Sequence, residues 1–163
     1  MVNADLSREQ VMEWLSQVPD PEIPVLTITD LGIVRDVTVN GDVVVALTPT
    51  YTGCPATEVI EQSVVSALKE HGVADVKIDR VLSPPWTTDW ISAEGRDKLR
   101  EYGIAPPETG GSKRELLYGE RSIACPRCNS MQTSLVSEFG STACKASYKC
   151  DECLEPFEYF KCI

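Results

Sequence analysis

Val11, Trp14, Leu15 and Val18 recur at helical spacing directly after Ser7-Arg8-Glu9-Gln10, which has the form of a capping box. A helix is therefore predicted over residues 8–18, ended by Pro19 and Pro21. The period then changes. Ile33 to Val39 and Val43 to Leu47 are β-branched runs on either side of Asn40-Gly41-Asp42, a hairpin signal because Asn and Gly tolerate positive φ. Helical spacing returns over residues 56–71, where Ile60, Val64 and Leu68 share a face and Gly72 supplies a left-handed stop. Val76 to Leu82 alternates again as a third strand, and Ser92 caps a last helix that ends at Tyr102-Gly103. The order helix, strand, strand, helix, strand, helix predicts an α+β fold, a small open sandwich of a mixed sheet with helices.

Composition divides the chain. Residues 1–120 hold 20 acidic and 10 basic residues, whereas 121–163 hold five of each, and the whole carries a net charge of −10. The step follows Ala105-Pro106-Pro107-Glu108-Thr109-Gly110-Gly111-Ser112, a turn-rich stretch that reads as a linker. The expected organisation is a first domain over 1–104, a linker over 105–120 and a cysteine-rich domain over 121–163. No run of apolar residues approaches the ~18 needed to span a bilayer, and the N-terminus lacks the pattern of a secretory signal. A cytoplasmic chain without membrane contact is expected, and the acidic balance opposes binding to nucleic acid.

In the first domain the pointed feature is Gly53-Cys54-Pro55, between the second strand and the central helix. Proline favours the first helical position, which puts Cys54 at or beside the N-cap, where free backbone N–H groups and the helix dipole favour an anion. Such a cysteine suits a nucleophile or a metal ligand; the alternative is a small buried apolar residue. Asp20-Pro21-Glu22 and Asp30-Leu31-Gly32 bring three carboxylates to a proline-bearing loop that is expected to be extended. His71, the single histidine, falls in the last helical turn, where it suits a cap. It lies 17 positions after Cys54. Along a continuous helix that is ~25 Å, too far for a Cys-His dyad.

Of seven cysteines, six crowd the last 39 residues. Cys125-Pro126-Arg127-Cys128 and Cys150-Asp151-Glu152-Cys153 stand 21 residues apart, close to the spacing of zinc ribbons. Two residues between paired cysteines let a tight turn aim both thiolates at one ion. Structural zinc is the first reading, with a rubredoxin-like iron, an iron-sulfur site, or disulfides or free thiols as alternatives. Cys144 is a candidate extra or exchanging ligand, and Cys162 a bystander. Phe139, Tyr148, Phe157, Tyr159 and Phe160 are expected to pack the small ribbon core.

Asp20-Pro21-Glu22-Ile23-Pro24-Val25, Asp30-Leu31-Gly32-Ile33-Val34 and Thr48-Pro49-Thr50-Tyr51-Thr52-Gly53-Cys54-Pro55 together resemble the domain of SufT-type proteins and cytosolic iron-sulfur targeting factors. The likeness covers roughly residues 8–104. It implies that Cys54 is the functional cysteine, that Asp20, Glu22 and Asp30 belong to its motif loop, and that a transient iron-sulfur cluster is handled there. Ser83-Pro84-Pro85-Trp86-Thr87-Thr88-Asp89-Trp90-Ile91, Tyr102-Gly103-Ile104-Ala105-Pro106-Pro107, Phe139-Gly140-Ser141-Thr142-Ala143-Cys144-Lys145 and Leu154-Glu155-Pro156-Phe157-Glu158-Tyr159-Phe160-Lys161-Cys162 carry a narrower likeness. They resemble the PaaD-type D subunits of the phenylacetyl-CoA epoxidase system. That resemblance implies an accessory or maturation role, without catalytic activity of its own. The implied partners are the other subunits of the system or its iron-sulfur reductase.

Two further classes stand beside this reading: a redox subunit passing electrons through iron at the four ribbon cysteines, and a nucleic-acid-binding ribbon, which the charge opposes. Dinucleotide, nucleoside-triphosphate, hydrolase and zincin motifs are absent from the sequence, as is the Glu-x-x-His pair of di-iron bundles.

Overall fold

The computed structural model describes residues 6–107 and 123–161, so most of the expected linker and Cys162 lie outside the described residues. The chain divides into two compact units, Met1–Trp86 and Thr87–Ile163, a boundary that falls before the last predicted helix.

The first unit begins with α1 (Arg8–Leu15), whose capping box is complete: Gln10 N–H donates to Ser7 Oγ and Ser7 N–H donates to Gln10 Oε1. The helix stops short of residue 18, and a turn carries the chain to Pro19. Strands β1 (Val34–Asn40) and β2 (Asp42–Leu47) pair antiparallel through Gly41, whose φ of 83° is a backbone state that side chains resist. Helix α2 (Ala56–Glu70) crosses over to β3 (Val76–Arg80), which pairs parallel to β2, giving the order β1-β2-β3. On α2, Ala56, Ile60, Val64 and Leu68 are buried at intervals of four, and Val43, Val45 and Leu47 of β2 are buried at intervals of two. These two stripes are the helix and strand faces of one core. His71 closes α2 with its ring Nδ1 2.8 Å from the Ala67 carbonyl, and Trp14 stacks on its ring at 4.4 Å between centroids. Trp86 is buried, and its indole N–H donates to the Leu31 carbonyl at 2.7 Å.

The segment between α1 and β1 is not an extended acidic loop. Ile23, Leu26, Ile28, Leu31 and Ile33 are all buried, so a chain of turns folds inward as part of the core. Asp20 and Asp30, each 7% exposed, serve those turns. Asp20 Oδ1 accepts from the Glu22 and Ile23 N–H groups, and Asp30 Oδ2 accepts from Thr27 N–H.

In the second unit a 3₁₀ turn at Thr88–Trp90 leads to α3 (Ala93–Tyr102), capped by Ser92 Oγ and ended by Gly103 at φ 91°. Then β4 (Ile104–Ala105), β5 (Thr133–Ser137), β6 (Lys145–Cys150) and β7 (Pro156–Phe160) form a sheet of order β4-β7-β6-β5. Ala105, expected to begin the linker, instead pairs with Tyr159 in parallel register. Phe157 and Tyr159 are buried, with Tyr148 5.9 Å from each ring. Phe139 departs from the expected core: it is 63% exposed, and the Lys161 ammonium lies 4.4 Å from its ring centroid.

Lys145 is almost wholly buried, and its ammonium lies 3.3 Å from Glu158 Oε2, while Glu158 Oε1 accepts from Ser141 N–H at 2.8 Å. Loss of hydration pushes the Glu158 carboxyl up, but Ser141 and Lys145 outweigh it and hold the group below the usual carboxylate range. A depressed carboxyl stabilises the fold above its unfolded pKa and loses that contribution as pH falls through its folded value. Glu158→Gln should therefore be less stable than the parent chain near neutral pH. The gap in urea unfolding should close as pH falls below the ordinary carboxylate range, and a gap independent of pH would contradict the ion pair's role.

Candidate functional site

The four-cysteine site is built by two similar turns. After Cys125 the chain folds back so that Asn129 N–H donates to the Cys125 carbonyl and Cys125 N–H to the Ser130 carbonyl, both at 2.9 Å. In the second turn Cys150 N–H donates to the Glu155 carbonyl at 2.9 Å. The residue after each second cysteine has positive φ, 61° at Asn129 and 63° at Leu154. Asparagine visits that state readily; leucine does so against its own Cβ, so the turn is held by its surroundings.

The sulfur atoms of Cys125, Cys128, Cys150 and Cys153 all lie within 4.8 Å of one another, with Cys125 3.7 Å from Cys153 and Cys128 3.6 Å from Cys150. Four sulfurs about 2.3 Å from one zinc would stand roughly 3.8 Å apart as the edges of a tetrahedron. The donor set therefore fits a single ion. A multi-iron cluster would interpose its own core and hold the sulfurs further apart. Cys125 and Cys150 are buried in the ribbon core, whereas Cys128 and Cys153 face solvent.

The thiols resist joint ionisation. The Cys153 N–H, with that of Glu152 beside it, draws Cys150 down to about 7 against its loss of hydration. At Cys128 the Ser130 N–H also lowers the thiol, but lost hydration and bonds with the neighbouring thiols outweigh it and push the group up to about 12. Cys153 is likewise raised: the Glu155 N–H is outweighed by lost hydration and by the thiols of Cys150 and Cys125. A bound cation would relieve this repulsion and release the protons. Cys144 stands outside the group. It is buried, with Thr142 Oγ1 3.0 Å from its sulfur.

In the first unit the loop from Thr48 to Pro55 joins β2 to α2, and Gly53 takes it through φ 82°. Pro55 occupies the cap position, and Cys54 precedes it by one residue. The Cys54 N–H donates to the Tyr51 carbonyl at 3.3 Å, and its carbonyl accepts from Thr57 N–H at 3.2 Å. Its side chain is half-buried and borders two clefts. Asp20 and Glu22 line one of them with Cys54, so the loop and the cysteine are brought together. Asp30 is absent from both linings and acts as a turn acceptor. Sequence reasoning missed Arg80, which lines both clefts. No helix among the described residues is long and apolar enough to cross a membrane.

Comparison with known proteins follows the same division. Residues 8–79 match the family described as iron-sulfur cluster assembly protein, and residues 109–161 match the PaaD zinc beta ribbon domain. The chain is 55% identical to a protein of Escherichia coli named as the D component of 1,2-phenylacetyl-CoA epoxidase, over 98% of each chain. It is 40% identical to an Fe-S protein maturation auxiliary factor of Porphyromonas gingivalis, over 57% of this chain and 90% of that one. A crystal structure of a DUF59 domain from Bacillus anthracis superposes with a TM-score of 0.54 at 29% identity, over 56% of this chain and 90% of that one.

Proposed function

Because the chain belongs to the family of PaaD-type components of 1,2-phenylacetyl-CoA epoxidase systems, we propose that it is an accessory or maturation factor in aerobic phenylacetate catabolism, assisting assembly of a metal centre or iron-sulfur cluster in that system. One observation carries the reading: a unit of the iron-sulfur assembly kind, with Cys54 between two clefts, is joined in one chain to a four-sulfur metal site. Cys54 is the residue that takes the cargo; Asp20 and Glu22 shape its cleft, and Asp30 holds the loop that carries them. The partners are the other subunits of the system or its iron-sulfur reductase.

For the ribbon we assign zinc, held by Cys125, Cys128, Cys150 and Cys153, on the closed set of four sulfurs and their near-tetrahedral spacing. When bound, the ion ties the two turns into one folded unit. Buried Cys125 and Cys150 anchor it to the core, and Cys128 and Cys153 close its outer side. Electron transfer through iron at the same sulfurs draws on the exposure of Cys128 and Cys153. That alternative requires the purified chain to be coloured, whereas zinc is spectroscopically silent.

The maturation reading is tested in cells lacking the chain. Growth on phenylacetate should fail although the other subunits accumulate normally, and the phenotype should be reversed by the full-length chain. Normal growth without it would overturn the reading.

A further inference from the structure

The first unit holds 13 acidic and 5 basic residues through Trp86, and the rim of Cys54 is acidic as well. Asp20 and Glu22 line one cleft and Glu58 the other. Among the described residues, Arg80 is the one lysine or arginine lining either cleft, and it lines both. Its place follows from sheet register: the parallel pairing of β3 with β2 sets Arg80 opposite Leu47, where β2 gives way to the loop that ends in Cys54. Glu61 of α2 holds it there, with Oε1 2.8 Å from both Nε and Nη2. A guanidinium has five N–H donors in a rigid plane, so an ion pair along one edge fixes the orientation of the rest.

Iron ligated by thiolate and sulfide is an anion, and a cleft lined with carboxylates alone would repel it. We propose that Arg80 is a positioning residue of the Cys54 site, where its guanidinium holds the negative charge of a thiolate- and sulfide-ligated iron species. This rests on the reading of Cys54 as the cargo residue. Cys54 supplies a ligand, Arg80 supplies a counter-charge, and Glu61 sets the direction in which that charge is presented.

The test uses the full chain with its four-cysteine site first filled with zinc. The chain is incubated anaerobically with ferrous iron and sulfide and then desalted, and its retained iron and iron-thiolate absorbance are measured. Arg80→Gln should retain the iron species about five-fold more weakly, the scale of a half-exposed ion pair. Arg80→Lys should recover part of the loss. Glu61→Gln, which keeps the charge but frees its direction, should fall between. Retention by the parent chain should decline with salt, whereas retention by Arg80→Gln should rise as salt screens the remaining carboxylates, an opposite response that a purely structural role would not produce. Arg80→Gln retaining iron like the parent while Cys54→Ala loses it would overturn the role of Arg80 and leave that of Cys54 standing. If Cys54→Ala retained iron like the parent, or the parent retained none, both would fall.

Discussion

Replacing Cys125, Cys128, Cys150 or Cys153 by serine is expected to strip the metal from the chain and unfold the ribbon. The reason is one of scale. Structural zinc binding contributes about 10–16 kcal/mol in small modules, whereas a domain's whole stability is about 5–15 kcal/mol. With four sulfurs within 4.8 Å of one another and Cys144 outside the group, no described side chain stands ready to replace a lost ligand. The four substitutions should not be equal. Cys125 and Cys150 also belong to the core with Ile123, Phe157 and Tyr159, so their loss removes packing as well as ligation. Cys128 and Cys153 face solvent, and their serine variants should retain weakened metal binding longest at high metal concentration. Metal content after dialysis, with limited proteolysis of the second unit, reads both effects. Cys144→Ser and Cys162→Ser should keep the ion. Full metal and full protease resistance in any of the four would show that the site is assigned wrongly.

Cys54→Ala is expected to do the opposite: little to stability, everything to function. The side chain is half-buried, and the loop around it is held by backbone bonds from Cys54 to Tyr51 and Thr57 that alanine preserves. A change in unfolding free energy below about 1 kcal/mol is therefore expected. The variant should purify with its ribbon metal, yet fail to restore growth on phenylacetate to cells lacking the chain. Unfolding of the variant would return Cys54 to a packing role, and wild-type growth would remove it from the function.

The sequence announced the elements whose signals are local. Ser7 with Gln10, Asn40-Gly41, Gly72, Ser92 and Gly103 all stand at the caps and turns their chemistry predicts. The segment from Pro19 to Ile33 was opaque because its apolar residues, Ile23, Leu26, Ile28, Leu31 and Ile33, follow neither a helical nor a strand period. Only their common burial makes sense of them. There Asp20 and Asp30 read as carboxylates of an extended loop, whereas the fold uses both as acceptors for turn N–H groups. The ribbon's cysteine spacing pointed to the four sulfurs that cluster but not to β4, since a two-residue strand pairing with β7 some fifty positions later leaves no local trace. Arg80 was hidden for the same reason. It lies 26 positions from Cys54 in the chain, and only the β2–β3 register brings it to the clefts.

The central claim is that Cys54 serves the assembly of a metal centre in the phenylacetyl-CoA epoxidase system. It is tested most directly by the iron and acid-labile sulfide content of that system's purified components, prepared from cells making either the parent chain or Cys54→Ala. Components of normal yield are expected from both, deficient in iron or sulfide with Cys54→Ala and replete with the parent chain. Equal iron and sulfide in the two preparations would contradict the claim.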